Sequence, residues 1–354
     1  MTGRGIDQIF PHHCPPHLYE PYVSSALDYV ALAEEANGPI ERPVDYGYIW
    51  GDAAQRLERE RPDVRIVNLE TSITTSEDAA PKTIHYRMHP ANVAVLTAAR
   101  IDCCALANNH VLDWGRKGLL DTLDNLQCAG IRVAGAGQNE TAAGAPAILE
   151  VGDGRRVLVF ALGARDSGIP SSWAARSAKP GIQLLPDYSA ETLQRVASRV
   201  RAVKRPGDVA VASIHWGPNW GFEIDGDHRR FAHGLIDRAQ IDVVHGHSSH
   251  HAKAIELHNG RLVLYGCGDF VTDYEGISGY EEFRGDLAVM YLASVDTECG
   301  ALRHLSLIPF QLRNFRLREP SVEDRQWLWE VLDRECRRFG HGLKITDDSM
   351  ELEL

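Results

Sequence analysis

IDCCALANNHVLDWGRKGLLDTLDNLQCAGIRVAGAG, residues 101–137, contains one full repeat of the folding pattern. Ile101–Ala107, apolar but for Asp102, has the composition of a buried strand. Lys117–Gly130 has the spacing of an amphipathic helix and closes on a glycine. Ile131–Gly137 then returns as a short strand. Strand, helix, strand at this spacing predicts α/β layering.

The pattern extends in both directions. Upstream, Val64–Glu70 (VRIVNLE) reads as a buried strand and Ala91–Arg100 as a helix. The first 45 residues are crowded with Pro, His and Gly, which predicts ordered loop broken by one helix near Ser24–Glu35. Downstream, APAILEV and RRVLVFALG flank a Gly-Asp-Gly turn, and a second hairpin turns on Asn259-Gly260. Helices are expected over 189–204, 228–240 and 321–340, with strands at DVAVASIHWG, IDVVHGHSSHH, DLAVMYLAS and ALRHLSLIPFQLR. Two packed sheets with helices outside fit this order better than one doubly wound sheet. No linker composition interrupts it, so a single body is expected.

Bulk composition narrows the function. The chain has 354 residues, 44% hydrophobic and 24% charged, the balance of a globular protein. Thirty-seven basic against 49 acidic residues give a net charge of −12, with no basic stretch to line a nucleic-acid groove. The seven cysteines form no CxxC pair and read as buried free thiols. No run of about 18 apolar residues encodes a membrane span. The N-terminus has no apolar signal region, so a cytoplasmic location is the expectation.

Four strand tips are polar: Asn68 and Glu70; Asn108, Asn109 and His110; His215; and His245, His247, His250 and His251. In α/β sheets, ligands bind beyond the carboxyl ends of strands, so these tips can share one site. Taken singly, each has a plainer reading: His215 as a hydrogen-bonded core residue, Asn108-Asn109 as a cap or turn, Glu70 as a cap. Four imidazoles within seven residues are harder to assign to packing. A carboxylate, an amide oxygen and imidazoles together suit borderline divalent ions such as Mn, Fe, Co or Zn. Where a carboxylate bridges two ions, they lie roughly 3.5–4 Å apart and activate one water.

NLE, ANNHVLDWG, HWG, GHSSHH and LYGCGDF, in this order, resemble the CapA/PgsA family of bacterial capsule and poly-γ-glutamate synthesis proteins. The similarity spans about residues 1–316, leaving 317–354 as a C-terminal helical extension. The resemblance implies a metallophosphatase-like fold, a four-layer α-β-β-α sandwich of two mixed sheets. It also implies one or two divalent metals, with Glu70 bridging and Asn109, His215, His247 and His250 as ligands. His110 would then be the proton donor to a leaving group, with Asp113 orienting its ring and His250 as a further acid/base group. The family pattern spaces its last two histidines by two, but His247 and His250 are three apart, so His247, His250 and His251 all remain candidates. Family members usually begin with an apolar strand ending in a metal-binding aspartate. This chain matches from Met1 onward without that strand or aspartate, which implies either a further N-terminal strand or a true loss that leaves at most one competent metal site.

Around the tips, Trp216 and Trp220 are candidate substrate walls, and Asp269 is a candidate partner for a ligating histidine or for substrate. Arg4, Lys82, Tyr86 and Arg87 are candidates for holding a substrate carboxylate or phosphate. Three functions follow from the resemblance. The first is a metal-dependent hydrolase of phosphoesters or amides, acting on a small-molecule, peptide or polyglutamate substrate. The second is a metal-free peptide epimerase that pairs His110 with His250. The third is a non-catalytic subunit associated with capsule-synthesis proteins.

Overall fold

The computed structural model describes residues 1–354 as an α/β protein. Its centre is a seven-stranded sheet in the order Leu184–Leu185, Arg155–Ala164, Val209–His215, Val243–His247, Arg261–Leu264, Ile255–His258, with Ala147–Val151 also paired to Arg155–Ala164. Ile66–Asn68, Cys103–Ala105 and Arg132–Ala134 form a parallel three-stranded sheet. Leu287–Val295 and Leu302–Arg313 begin a third, antiparallel sheet.

Strand alternation sorts the side chains of the central sheet. Ala210, Ala212, Ile214 and Val244 pack on one face against Leu193, Val196, Phe231 and Leu235 of helices Ala190–Val203 and Gly226–Ala239. On the other face, Val211, Val243 and Leu264 meet Leu287, Val289 and Leu305 of the antiparallel sheet. The helix Gly115–Cys128 buries Leu119 and Leu126 in the largest core cluster, together with Cys103–Ala107. The Asn259-Gly260 hairpin forms as expected, with both residues at positive φ (50° and 74°), the geometry for which that dipeptide is favoured.

Two expectations need correction. All seven cysteines are free, but Cys128 and Cys299 are exposed. Residues 317–354 are not a helical appendage. After the helix Val322–Arg337, strands Leu343–Ile345 and Met350–Leu352 join the antiparallel sheet by pairing Met350–Glu351 with Ser306–Leu307. Arg316–Arg318 pairs back onto Leu302–Arg313 across the expected boundary. The hairpin was hidden because three-residue strands give too few alternations to read. No helix is long and apolar enough to cross a membrane.

Candidate functional site

Strand register builds the site. Ser213 pairs with His245 and His215 with His247 on neighbouring parallel strands. The even spacing points Val209, Val211, Ser213 and His215 to one face, beside Val243, His245 and His247. That face is apolar along the strands and turns polar only at their carboxyl ends.

Three strand ends meet there. Glu70, after Ile66–Asn68, accepts from Asn68 Nδ2 at 2.9 Å, and its other oxygen lies 3.8 Å from His215 Nε2. Asn108 locks two loops together: its Nδ2 donates to Asn68 Oδ1 (3.0 Å) and Leu69 O (2.9 Å), and its Oδ1 accepts from the His110 N–H. Held by that turn, Asn109 presents a buried Oδ1 that has no hydrogen-bond partner. His215 Nε2 is likewise buried and unpartnered.

His110 stands on a different footing. Its Nδ1 lies 2.7 Å from Asp113 Oδ2, which also accepts from the Tyr86 N–H, while Lys82 Nζ bonds Asp113 Oδ1 at 2.7 Å. Burial lowers the His110 pKa despite the attraction of Asp113, and Lys82 adds to the lowering. Burial alone would raise Asp113, but His110 and Lys82 outweigh it and hold the carboxyl below its usual range. Lys82 therefore lies behind His110 and is engaged by protein, not displayed to a substrate.

His250 forms a second dyad, with Nδ1 2.9 Å from Asp269 Oδ2. Burial would depress its pKa, yet Asp269 reverses the sign and raises it. Between the dyads, the Tyr86 and Tyr274 hydroxyls meet at 2.9 Å. The Tyr86 ring sits edge-on to His110 at 4.6 Å and the Tyr274 ring edge-on to His250 at 5.1 Å. Trp220 covers the other side of His250 at 5.3 Å and stacks on Tyr280 at 4.3 Å.

The remaining histidines separate by contact. His247 has both ring nitrogens engaged, Nδ1 with His215 Nδ1 (2.8 Å) and Nε2 with Ser213 Oγ (2.9 Å), so it is not aimed at Glu70 and Asn109. Burial drives it far below its ordinary pKa and pushes His215 down to about 3. His251 is structural: Nε2 accepts from the Gly221 N–H and Nδ1 faces Ala252 O. No three His, Cys, Asp or Glu side chains gather closely enough to make a metal site by themselves. The unpartnered Asn109 Oδ1 is an amide oxygen, a donor type outside that set.

Two further substrate candidates are corrected, besides Lys82. Arg4 is buried and fully committed, with Nε and Nη2 on Asp273 (2.8 and 2.6 Å) and Nη1 on Glu20 (2.9 Å). Trp216 is buried, donates Nε1 to Tyr265 O and stacks on His228, so it walls no open site. Sequence alone assigns no role to Ser213 and does not pair Tyr86 with Tyr274. Ser213 was legible by parity, two residues before His215 on the same face. The tyrosines are 188 residues apart and carried no such signal.

Comparison with known proteins agrees with these motifs. Residues 1–274 match the model of the bacterial capsule synthesis protein PGA_cap. Two probable polyglutamine synthesis accessory proteins of Mycobacterium tuberculosis, from strains CDC 1551 / Oshkosh and H37Rv, are 49% identical over 99% of this chain and 92% of their own length. The PGA biosynthesis protein CapA of Bacillus subtilis (strain 168) is 28% identical over 63% of this chain and 56% of its own. The chain belongs to the PGA_cap family of bacterial capsule synthesis proteins.

Proposed function

We propose that this protein is a divalent-metal-dependent hydrolase of polyglutamate or capsule synthesis, cleaving an amide or phosphoester. The observation that carries this reading is a pair of buried, unpartnered polar atoms, Asn109 Oδ1 and His215 Nε2, the latter 3.8 Å from Glu70 Oε1. An unsatisfied buried polar atom costs about 1–3 kcal/mol, and a cation would relieve both at once. Carboxylate, amide oxygen and imidazole form a donor set for Mn, Fe, Co or Zn. Glu70, Asn109 and His215 would hold one ion. Such an ion supplies Lewis acidity and makes bound water a nucleophile near neutral pH.

The protein's own groups would handle protons. Asp113 fixes the Nδ1 proton of His110 and stabilises its imidazolium form, leaving Nε2 to deliver a proton to the departing atom. Trp220 restricts one side of His250 and helps exclude water. The four-layer metallophosphatase sandwich is the architecture that fits this use of strand ends. The relatives named accessory proteins support a role beside a synthesis machinery.

Metal binding tests this reading without a substrate. Wild-type protein stripped and resupplied with Mn, Fe, Co or Zn should retain about one ion and melt higher. Asn109→Ala and His215→Ala should lose both effects, whereas His110→Ala should keep the ion and lose turnover on polyglutamate or phosphoester substrates. Wild type that retains no ion would reject the metal reading. That result would favour a second one, suggested by the two His–Asp dyads around a tyrosine pair: proton exchange at a peptide α-carbon by His110 and His250.

A further inference from the structure

Between the two His–Asp dyads stands a pair of tyrosines that the metal and proton-transfer roles leave unused, with Tyr86 Oη 2.9 Å from Tyr274 Oη. The charge of Glu70 acts on both His110 and His250, which places the dyads around the candidate ion site. Burial sets the direction of the hydrogen bond. Tyr86 is fully buried, and Tyr274 Oη is the one partner of its hydroxyl. If Tyr274 donated, the Tyr86 proton would be buried without an acceptor, which is costly. Tyr86 therefore donates. A phenol has one proton to give, and that of Tyr274 then has no acceptor in the protein. Tyr274 is only partly buried, so its O–H is free for a bound molecule.

The donor is fixed and polarised before any ligand arrives. The Tyr86 N–H donates to Asp113 Oδ2, the same carboxylate oxygen that holds His110. Asp273, next to Tyr274, takes Arg4 Nε and Nη2 and the Gly5 N–H. The Arg4 guanidinium also lies 4.7 Å from the Tyr86 ring centroid and 5.6 Å from that of Tyr274. A cation so close favours negative charge on the phenol oxygens, which strengthens the O–H as a donor. The hydrogen bond that Tyr274 accepts from Tyr86 polarises it in the same sense.

We propose that Tyr274 is a catalytic residue whose O–H donates to the oxygen of the attacked carbonyl or phosphoryl group, with Tyr86 as the residue that positions it. This rests on the hydrolase reading above. Negative charge gathers on that oxygen in the transition state, and a preorganised donor aimed at it acts without rearranging. The proton stays on the phenol throughout, and the hydrogen bond shortens as charge develops. His110 remains the group that supplies a proton to the departing atom, so the two sides of the reacting centre are served by different residues.

Inorganic phosphate, whose oxygens carry the charge in question, tests the donor by calorimetric titration of the full chain, with bound ion measured in every sample. Tyr274→Phe should weaken phosphate binding at least about tenfold and keep the ion. It should also cut kcat on phosphoester or polyglutamate by about 100-fold. Tyr86→Phe should keep the ion and weaken phosphate less, by about two- to tenfold, because the Tyr274 proton is then free to turn away. Tyr29→Phe removes another buried phenol hydrogen bond, to Glu20, and should lower the melting temperature while leaving phosphate affinity unchanged. A Tyr274→Phe protein that matches wild type in phosphate affinity or in kcat, with its ion in place, overturns the proposal. So does an equal loss of phosphate in Tyr29→Phe, which would trace the effect to loosened packing. Wild type that retains no ion yet binds phosphate through Tyr274 rejects the metal and keeps the donor. Wild type that binds no phosphate, with or without its ion, rejects the donor.

Discussion

A guanidinium removed from water needs charge inside the protein, and Arg4 finds it in Asp273 and Glu20 while lying 3.6 Å over the Tyr29 ring. Removing one partner of a buried ion pair leaves the others uncompensated, at about 3–5 kcal/mol. Arg4→Ala should therefore lose that much unfolding free energy in urea. Stability within about 1 kcal/mol of wild type, with weakened substrate binding, would restore the substrate role. Sequence alone could not decide this, because an arginine near a predicted site looks the same whether it faces solvent or a carboxylate 269 residues away. Asn109, His110 and Asp113 were legible for the opposite reason. They lie within five residues, where a turn fixes who meets whom. His247 misled because strand parity aims it at the site face, and only the His215 and Ser213 contacts show that its nitrogens are taken.

Long elements were legible and short ones were not. Helices such as Val322–Arg337 span four turns, enough for the 3.6-residue period to show, and Ser321 caps this one by accepting from Asp324 N. Strands Leu343–Ile345 and Met350–Leu352 are three residues each and carried no period. Their discovery changes what truncation should do. Ending the chain at Pro320 removes Leu328, Leu332, Leu343 and Met350 from one core cluster and strips Leu302–Arg313 of a neighbour. Burial at about 1.5–3 kcal/mol per side chain totals on the order of 10 kcal/mol, the size of a whole domain's stability. The truncated chain should show no cooperative thermal transition and should aggregate through the bared edge. A melt within a few degrees of the full chain would show that the hairpin is dispensable.

At the scale of the molecule, the site depends on distant parts being tied together, and Glu275 is one such tie. It follows the Asp269–Tyr274 segment of the site, accepts from the Phe315 N–H at 2.9 Å and takes Asn37 Nδ2 at 3.4 Å from the first helix. Burial raises its pKa to about 7, only partly offset by the Phe315 and Asn314 amides. An unfolded glutamate titrates near 4.3, so between about pH 4.3 and 7 the native state holds a proton that the unfolded chain has released. Stability from this group is therefore complete below the unfolded value, falls as pH rises through the window and levels off above it. The difference of about 2.7 pH units corresponds to about 3.7 kcal/mol. Glu275→Gln keeps an acceptor for the Phe315 amide and cannot ionise. Urea unfolding at pH 5 and pH 8 should show wild type losing more stability than the variant across that interval, with the two converging in acid. Parallel pH profiles would mean that Glu275 ionises in the folded protein as it does in water, and that the tie beside the site does not feel its burial.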